Sequence, residues 1–267
     1  MGADGYADRM ASPARDIHSV SELFQAALEA DEDAAWDAVA ALHWRGSREV
    51  LDRAVALIGS DDPAERARAA DILGQIGLPE RTFPEDCFSA VLPLLDDDDR
   101  QVVFSAIFAL QHIDRARAAS YIIPFADHPW ERIRYAAAFA LGAVDQLAAT
   151  AALLLLMEDR CADVRNWATF GLGQQSEDDS PEIREALATR LSDDDADVRY
   201  EAIIGLGRRR DRRALGFLKT MLHDDPEDIF AREAAARLLG FAESGDLATE
   251  TLLGALQRLQ RWGGARG

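Results

Sequence analysis

Cysteine is nearly absent from this 267-residue sequence, which carries only Cys87 and Cys161. Two thiols so far apart give no disulfide framework and no zinc spacing, so a reducing, cytoplasmic setting is expected. Long apolar runs are also missing. The longest aliphatic stretch, Ala151 to Met157, is too short to span a bilayer. The opening residues MGADGYADRMASPARD hold no apolar segment of the signal-peptide kind, and Tyr6 stands where a myristoylation signal wants Ser or Thr. Positive charge is scarce, with 29 Lys and Arg against 48 Asp and Glu, for a formal net charge of −19. Such a field repels nucleic-acid backbone and anionic membrane and attracts basic partners. The five histidines form no His-x-x-x-His pair and no His-Glu dipeptide. No glycine-rich phosphate loop follows a strand pattern either. Accordingly no catalytic residue, metal or cofactor is expected.

What the sequence does have is a repeat. A nine-residue pattern recurs seven times: Arg or a substitute, two residues, Ala, two residues, a small or apolar residue, Leu, Gly. The clearest copies run Arg134 to Gly142, Arg165 to Gly173 and Arg199 to Gly207. Looser ones run Arg66 to Gly74, Val103 to Gln111 and Arg232 to Gly240, with a degenerate copy from Ala35 to His43. Their last positions are spaced 31, 37, 31, 31, 34 and 33 residues apart, a period that marks stacked supersecondary units.

Each unit reads as two helices. With Arg as position 0, small or apolar residues fall at −1, +3, +6 and +7, one face of the second helix. The small residues at +3 and +6 let neighbouring helices approach, and Gly at +8 suits a left-handed helix cap. First helices are expected near 20–30, 47–58, 84–95, 116–126, 145–157, 181–191 and 212–222. Second helices are expected near 32–43, 62–74, 99–112, 129–142, 161–174, 195–207 and 226–241. Residues 1–16 read as a flexible terminus, 17–245 as one solenoid, and 246–267 as a capping helix and tail.

The pattern resembles the HEAT-like repeats of phycobilisome lyases, in which Asp-x-Val-Arg or a variant opens the second helix. Here it stands as Asp163-Val164-Arg165 and Asp197-Val198-Arg199, and as Ile133-Arg134 without the Asp. The resemblance covers about residues 20–245 and implies an all-α fold, a right-handed α-solenoid with helix pairs stacked in sequence. It says little of activity, because that family mixes lyases, chaperones, adaptors, DNA glycosylases and inhibitors.

The periodic Arg and the Asp two residues before it are assigned to the scaffold, as a charged ladder with favourable helix-end electrostatics. Acidic runs fill the turns within repeats: Asp61-Asp62, Asp96 to Asp99, Asp193 to Asp195, and Asp224-Asp225 with Glu227-Asp228. One acid per turn is enough for capping, so the surplus is expected to make these turns strongly negative. The basic cluster Arg208, Arg209, Arg210, Arg212 and Arg213 is assigned to local salt bridging.

Positions +1 and +5 point away from the core face of each second helix, where water alone would favour polar residues. Instead they hold Phe104 and Phe108, Tyr135 and Phe139, Asn166 and Phe170, Tyr200 and Ile204, with Trp36 in the first repeat and Trp167 beside the row. In a HEAT-type solenoid these would form an aromatic ladder on the concave side, ringed by charge as protein-binding hot spots are. The expected function is therefore non-catalytic binding of a basic protein by a chain that is monomeric beforehand. Its concrete form would be a bacterial immunity protein or inhibitor covering a basic toxin domain. An adaptor or assembly chaperone is the alternative, or a bilin lyase-like or alkylpurine DNA glycosylase-like enzyme. Nucleic acid and membrane are disfavoured as partners.

Overall fold

The computed structural model describes residues 18–29, 32–77, 79–241 and 247–264. The predicted flexible terminus, 1–16, lies outside them. The described residues form helices and turns without a strand, in two compact units, 1–122 and 123–267.

The first unit holds α1 (Val20–Glu29), α2 (Glu32–Arg45), α3 (Arg48–Ile58), α4 (Pro63–Gly74), α5 (Pro84–Val91) and α6 (Arg100–Ile122). The second helices α2, α4 and α6 pack side by side, and α3 and α5 form the other layer. Local signals set these boundaries. Ser47 caps α3 by accepting from the Val50 N–H, and Asp62 caps α4 just ahead of Pro63 at its first position. The expected turn between residues 112 and 116 is a kink at one non-helical residue, Asp114 (φ −155°, ψ 90°), which divides α6 into two helical stretches. The Asp114 carboxylate then accepts from the Arg117 N–H and starts the next stretch.

The second unit holds α7 (Glu131–Leu141), α8 (Leu147–Leu156), α9 (Ala162–Phe170), α10 (Pro181–Arg190), α11 (Ala196–Arg208), α12 (Leu215–Asp224), α13 (Ile229–Leu239) and α14 (Thr249–Gly264). Here α7, α9, α11 and α13 pack in sequence, and α14 closes the stack against α12 and α13. The start expected for a capping helix, residue 246, lies outside the described residues.

The periodic glycines do something other than predicted. Only Gly240 takes the left-handed cap, with φ +87°. Gly74, Gly142 and Gly173 instead sit at +8 against the small residue at +6 of the following repeat. A Cβ added at Gly74 would lie 2.9 Å from the Ala109 Cα; one on Gly171 would lie 2.7 Å from the Gly142 Cα, and one on Gly205 2.6 Å from the Gly173 Cα. The recurring Gly and the small residue before Leu are thus two halves of one inter-helix contact.

The periodic arginines form the predicted ladder, with a different partner. Asp163 and Asp197, two residues before their arginines, are exposed. Three of the periodic guanidiniums bond instead to an aspartate in the next repeat's turn. Arg66 holds Asp97 at 2.7 and 2.8 Å, Arg134 holds Asp159 at 2.5 and 2.9 Å, and Arg165 holds Asp193 at 2.9 and 2.7 Å. In each case Nη1 also donates to the carbonyls five and six residues upstream, as it does in Arg199. A planar fork can serve a carboxylate and two carbonyls at once, which a lysine ammonium matches poorly. Lys219 is the sole lysine in the chain.

Candidate protein-binding row

The acidic turns divide their labour at a two-residue spacing. Asp97 takes Arg66 and the Asp99 N–H, while Asp99 caps α6. Asp193 takes Arg165 and the Asp195 N–H, while Asp195 caps α11. Asp228 caps α13 and accepts from the Tyr200 hydroxyl at 3.1 Å. The surplus acidity expected from sequence is thus partly ladder. Asp61, Asp96, Asp98, Asp194, Asp224 and Glu227 remain exposed and keep these turns negative.

Four of the five clustered arginines, Arg208, Arg209, Arg212 and Arg213, are engaged locally. Buried Arg209 donates to the carbonyls of Leu172, Gly173, Ser176 and Asp178, stapling the wide turn that follows α9. Burial holds its guanidinium below the ordinary value, offset in part by Asp179. Arg213 pairs with Asp211 and Glu185, Arg208 with Glu177, and Arg212 reaches the Leu259 carbonyl.

The aromatic row falls on the solvent line of the second helices. From Val102 to Gln111 only Phe104 and Phe108 escape full burial in α6, and from Ile133 to Leu141 only Tyr135 and Phe139 do so in α7. Phe104 and Phe108 touch with centroids 4.9 Å apart. In the second unit Trp167 is the hub, edge-on to Tyr135 (6.1 Å), Phe139 (4.7 Å) and Phe170 (5.6 Å). Such edge-to-face contacts favour a fixed arrangement of rings over a fluid one. Asn166 beside them has its Oδ1 buried with no hydrogen-bond partner. Trp36 is 43% exposed and carries the Arg68 guanidinium 5.0 Å above its ring.

Two members depart from the expectation. Ile204 is 1% exposed and belongs to the core. Gly205 meets Gly173 in the turn after α9, and a Cβ at Gly207 would lie 2.9 Å from the Ala234 Cβ of α13. Close approach on both sides of position 204 is the physical reason its side chain is in the core. Tyr200 is half-buried and tied to Asp228; burial and that carboxylate push its hydroxyl well above the ordinary tyrosine value.

One exposed apolar face escaped the sequence reading. Leu147 and Leu155 on α8 are 87% and 57% exposed. The signal was present in LAATAALLLL, which has no polar stripe to turn outward. Replacing both leucines by Gln should change stability by less than about 0.5 kcal/mol in thermal unfolding, because neither is buried. A larger loss would show that something covers them.

Among the described residues no group of His, Cys, Asp and Glu is arranged to hold a metal. No helix among them is long and apolar enough to cross a membrane. Residues 88–173 and 150–240 match the family model for HEAT repeats. The X-ray structure of YibA from Escherichia coli resembles this chain over 97% of its length and 98% of YibA, with 23% identity and a TM-score of 0.72. The complex of CpcE and CpcF of phycocyanin lyase from Nostoc sp. PCC7120 resembles it over 91% of this chain and 96% of that one, with 18% identity and a TM-score of 0.51. Both likenesses concern the all-α solenoid fold. No curated protein matches the sequence.

Proposed function

Because this chain belongs to the HEAT-repeat family, we propose that it works without catalysis, by holding a basic protein against the solvent line of its second helices. The observation that carries this reading is the Trp167-centred cluster of half-buried rings, where water alone would select polar side chains. Rigid aromatic groups lose little side-chain entropy on binding and dominate the energetics of protein interfaces. A net charge of −19 and the exposed acids of the turns would speed the approach of a basic partner and reject acidic ones. In its concrete form the chain is an immunity protein or inhibitor that covers a basic toxin domain; the adaptor and chaperone forms use the same surface.

The test begins with a photo-crosslinking residue at position 139 in the native host, to recover the partner, followed by titration with that purified partner. Phe139→Ala in the second unit and, separately, Phe108→Ala in the first should each weaken binding by about 30-fold or more, the loss expected of a hot spot, with helical content by circular dichroism unchanged. Unchanged affinity would rule out the row. A recovered partner that is acidic would rule out the electrostatic half of the reading.

A further inference from the structure

The first repeat differs from the later ones at one packing position. Where the pattern is clear, the small residue at +6 receives the glycine at +8 of the preceding second helix: Ala109 receives Gly74, Gly171 receives Gly142, and Gly205 receives Gly173. The degenerate copy from Ala35 to His43 places Ala38 at +3 and Ala41 at +6 of α2. Among the described residues only α1 precedes that helix. Ala38 and Ala41, with Ala34, face a cleft of about 390 Å³ whose other wall is Leu23 and Ala26 of α1, and Glu22 and Asp37 stand at its rim. Ala34 is exposed and Ala26 and Ala41 are half-buried. The packing face of the end repeat therefore meets water, which costs stability and solubility in a stacked fold.

The chain enters the first unit at this cleft. His18, the first described residue, lines it. The His18 carbonyl accepts from Arg45 Nη2, at the far end of α2, at 2.6 Å. Directly after it, Ser19 and Glu22 form a reciprocal cap on α1. The Ser19 N–H donates to the Glu22 carboxylate at 2.7 Å, and the Glu22 N–H donates to the Ser19 hydroxyl at 3.2 Å. The point of entry is thus fixed from both sides, on the edge of the cleft.

The residues ahead of that point carry an eighth, degenerate copy of the repeat pattern. With Asp4 as position 0, positions −1, +3, +6 and +7 are Ala3, Ala7, Met10 and Ala11, all small or apolar. Positions +1 and +5, which face water, are Gly5 and Arg9. Ser12 takes position +8 and lies 31 residues before His43, a spacing that recurs three times between the other copies. Pro13 follows at once, and the residue before a proline is a usual place for a helix to end. Seven residues separate Ser12 from α1, against four between Gly142 and α8 and nine between Gly74 and α5. Pattern, period and connection length therefore agree.

We propose that the cleft is a docking site for the chain's own residues 3–12, which seat there as a half-repeat, a second helix without a first. Ser12 then rests on Ala41 as Gly74 rests on Ala109. Ala3, Ala7, Met10 and Ala11 turn toward Leu23 and the alanines of α1 and α2, while Gly5 and Arg9 stay in water. From Ala34 to Ala41 the cleft follows about 10 Å of helix, the same rise as Ala3 to Met10. The unbranched Met10 is suited to fill what the alanines leave open. A helix this short is marginal in water, so it forms only while its apolar face is covered. Docking and helix formation are one event.

Amide hydrogen exchange and a spin label test this in the full chain. Exchange at residues 8–12 should be about tenfold slower or more than in Ala7→Asp, which puts a charge on the docking face. Gly5→Ala, on the water side, should slow it by about a further fivefold, the helix propensity difference between Gly and Ala. A nitroxide at Arg9→Cys, in a Cys161→Ser background, should broaden the amide resonances of Ala38 and Ala41, and adding Ala7→Asp should remove most of that broadening. Mixing spin-labelled chain with isotope-labelled chain that lacks the nitroxide reads docking between two copies. Broadening in that mixture would overturn the assignment to the chain's own segment. Unprotected amides at 8–12, no effect of Gly5→Ala, or broadening that survives Ala7→Asp would each overturn the half-repeat.

Discussion

Arg134→Ala is expected to destabilise the second unit by about 3 kcal/mol, the range measured when one partner of a buried ion pair is removed. The two side chains are 9% and 8% exposed, and the carboxylate would stay behind with one guanidinium fork missing. Two backbone carbonyls, of His128 and Pro129, would lose their donor as well. Urea unfolding followed by circular dichroism reads the change, and a loss below about 1 kcal/mol, typical of a surface pair, would show that the ladder is peripheral. The same geometry sets a pH dependence. Burial would raise Asp159, but the hydrogen bonds from Arg134 and from the Cys161 N–H more than offset it and hold the carboxyl below its ordinary value. Asp193 behaves the same way under Arg165 and the Asp195 N–H. A folded-state value below the unfolded one means stability that is complete above the unfolded carboxyl range and lost as pH falls through the folded value. Unfolding midpoints should therefore fall on acidification below about pH 4. The fall should be shallower in Arg134→Ala, which has already lost that contribution.

Gly205→Ala should destabilise by about 1–3 kcal/mol, although helix propensity alone favours Ala by about 1 kcal/mol in the middle of a helix. Packing decides the sign. The new Cβ would lie 2.6 Å from the Gly173 Cα, which is backbone and cannot swing aside, and 3.2 Å from both methyls of Leu187. Gly216→Ala is the control, because a Cβ there meets nothing within 4 Å. It should show the propensity gain, a rise of roughly 0.5–1 kcal/mol. If both substitutions stabilise, the helices have room to part and the glycine contact is not what spaces them.

The part of the fold legible in the sequence was the part written by local periodicity. A 3.6-residue pattern with small residues at fixed offsets places α7, α9 and α11 and shows which positions face water, because helix geometry projects residues at 100° each. Phe104, Phe108, Tyr135 and Phe139 lie on the solvent line for that reason. Ile204 has the same offset and is buried, because two neighbouring helices approach closely at Gly205 and Gly207. Periodicity on one helix carries no information about how close the next one comes.

The sequence by itself determined the repeat, its helix pairs, the aromatic character of the solvent line and the acidity of the turns. The tertiary structure decided which Asp answers each Arg, since the partners lie 31, 25 and 28 residues away and no constant offset finds them. It decided that Gly74, Gly142 and Gly173 are points of contact and that Gly240 alone of the periodic glycines is a left-handed cap. Local geometry is encoded within a turn or two of chain. Charge pairing and close approach depend on distances across repeats, which are set only when the helices pack.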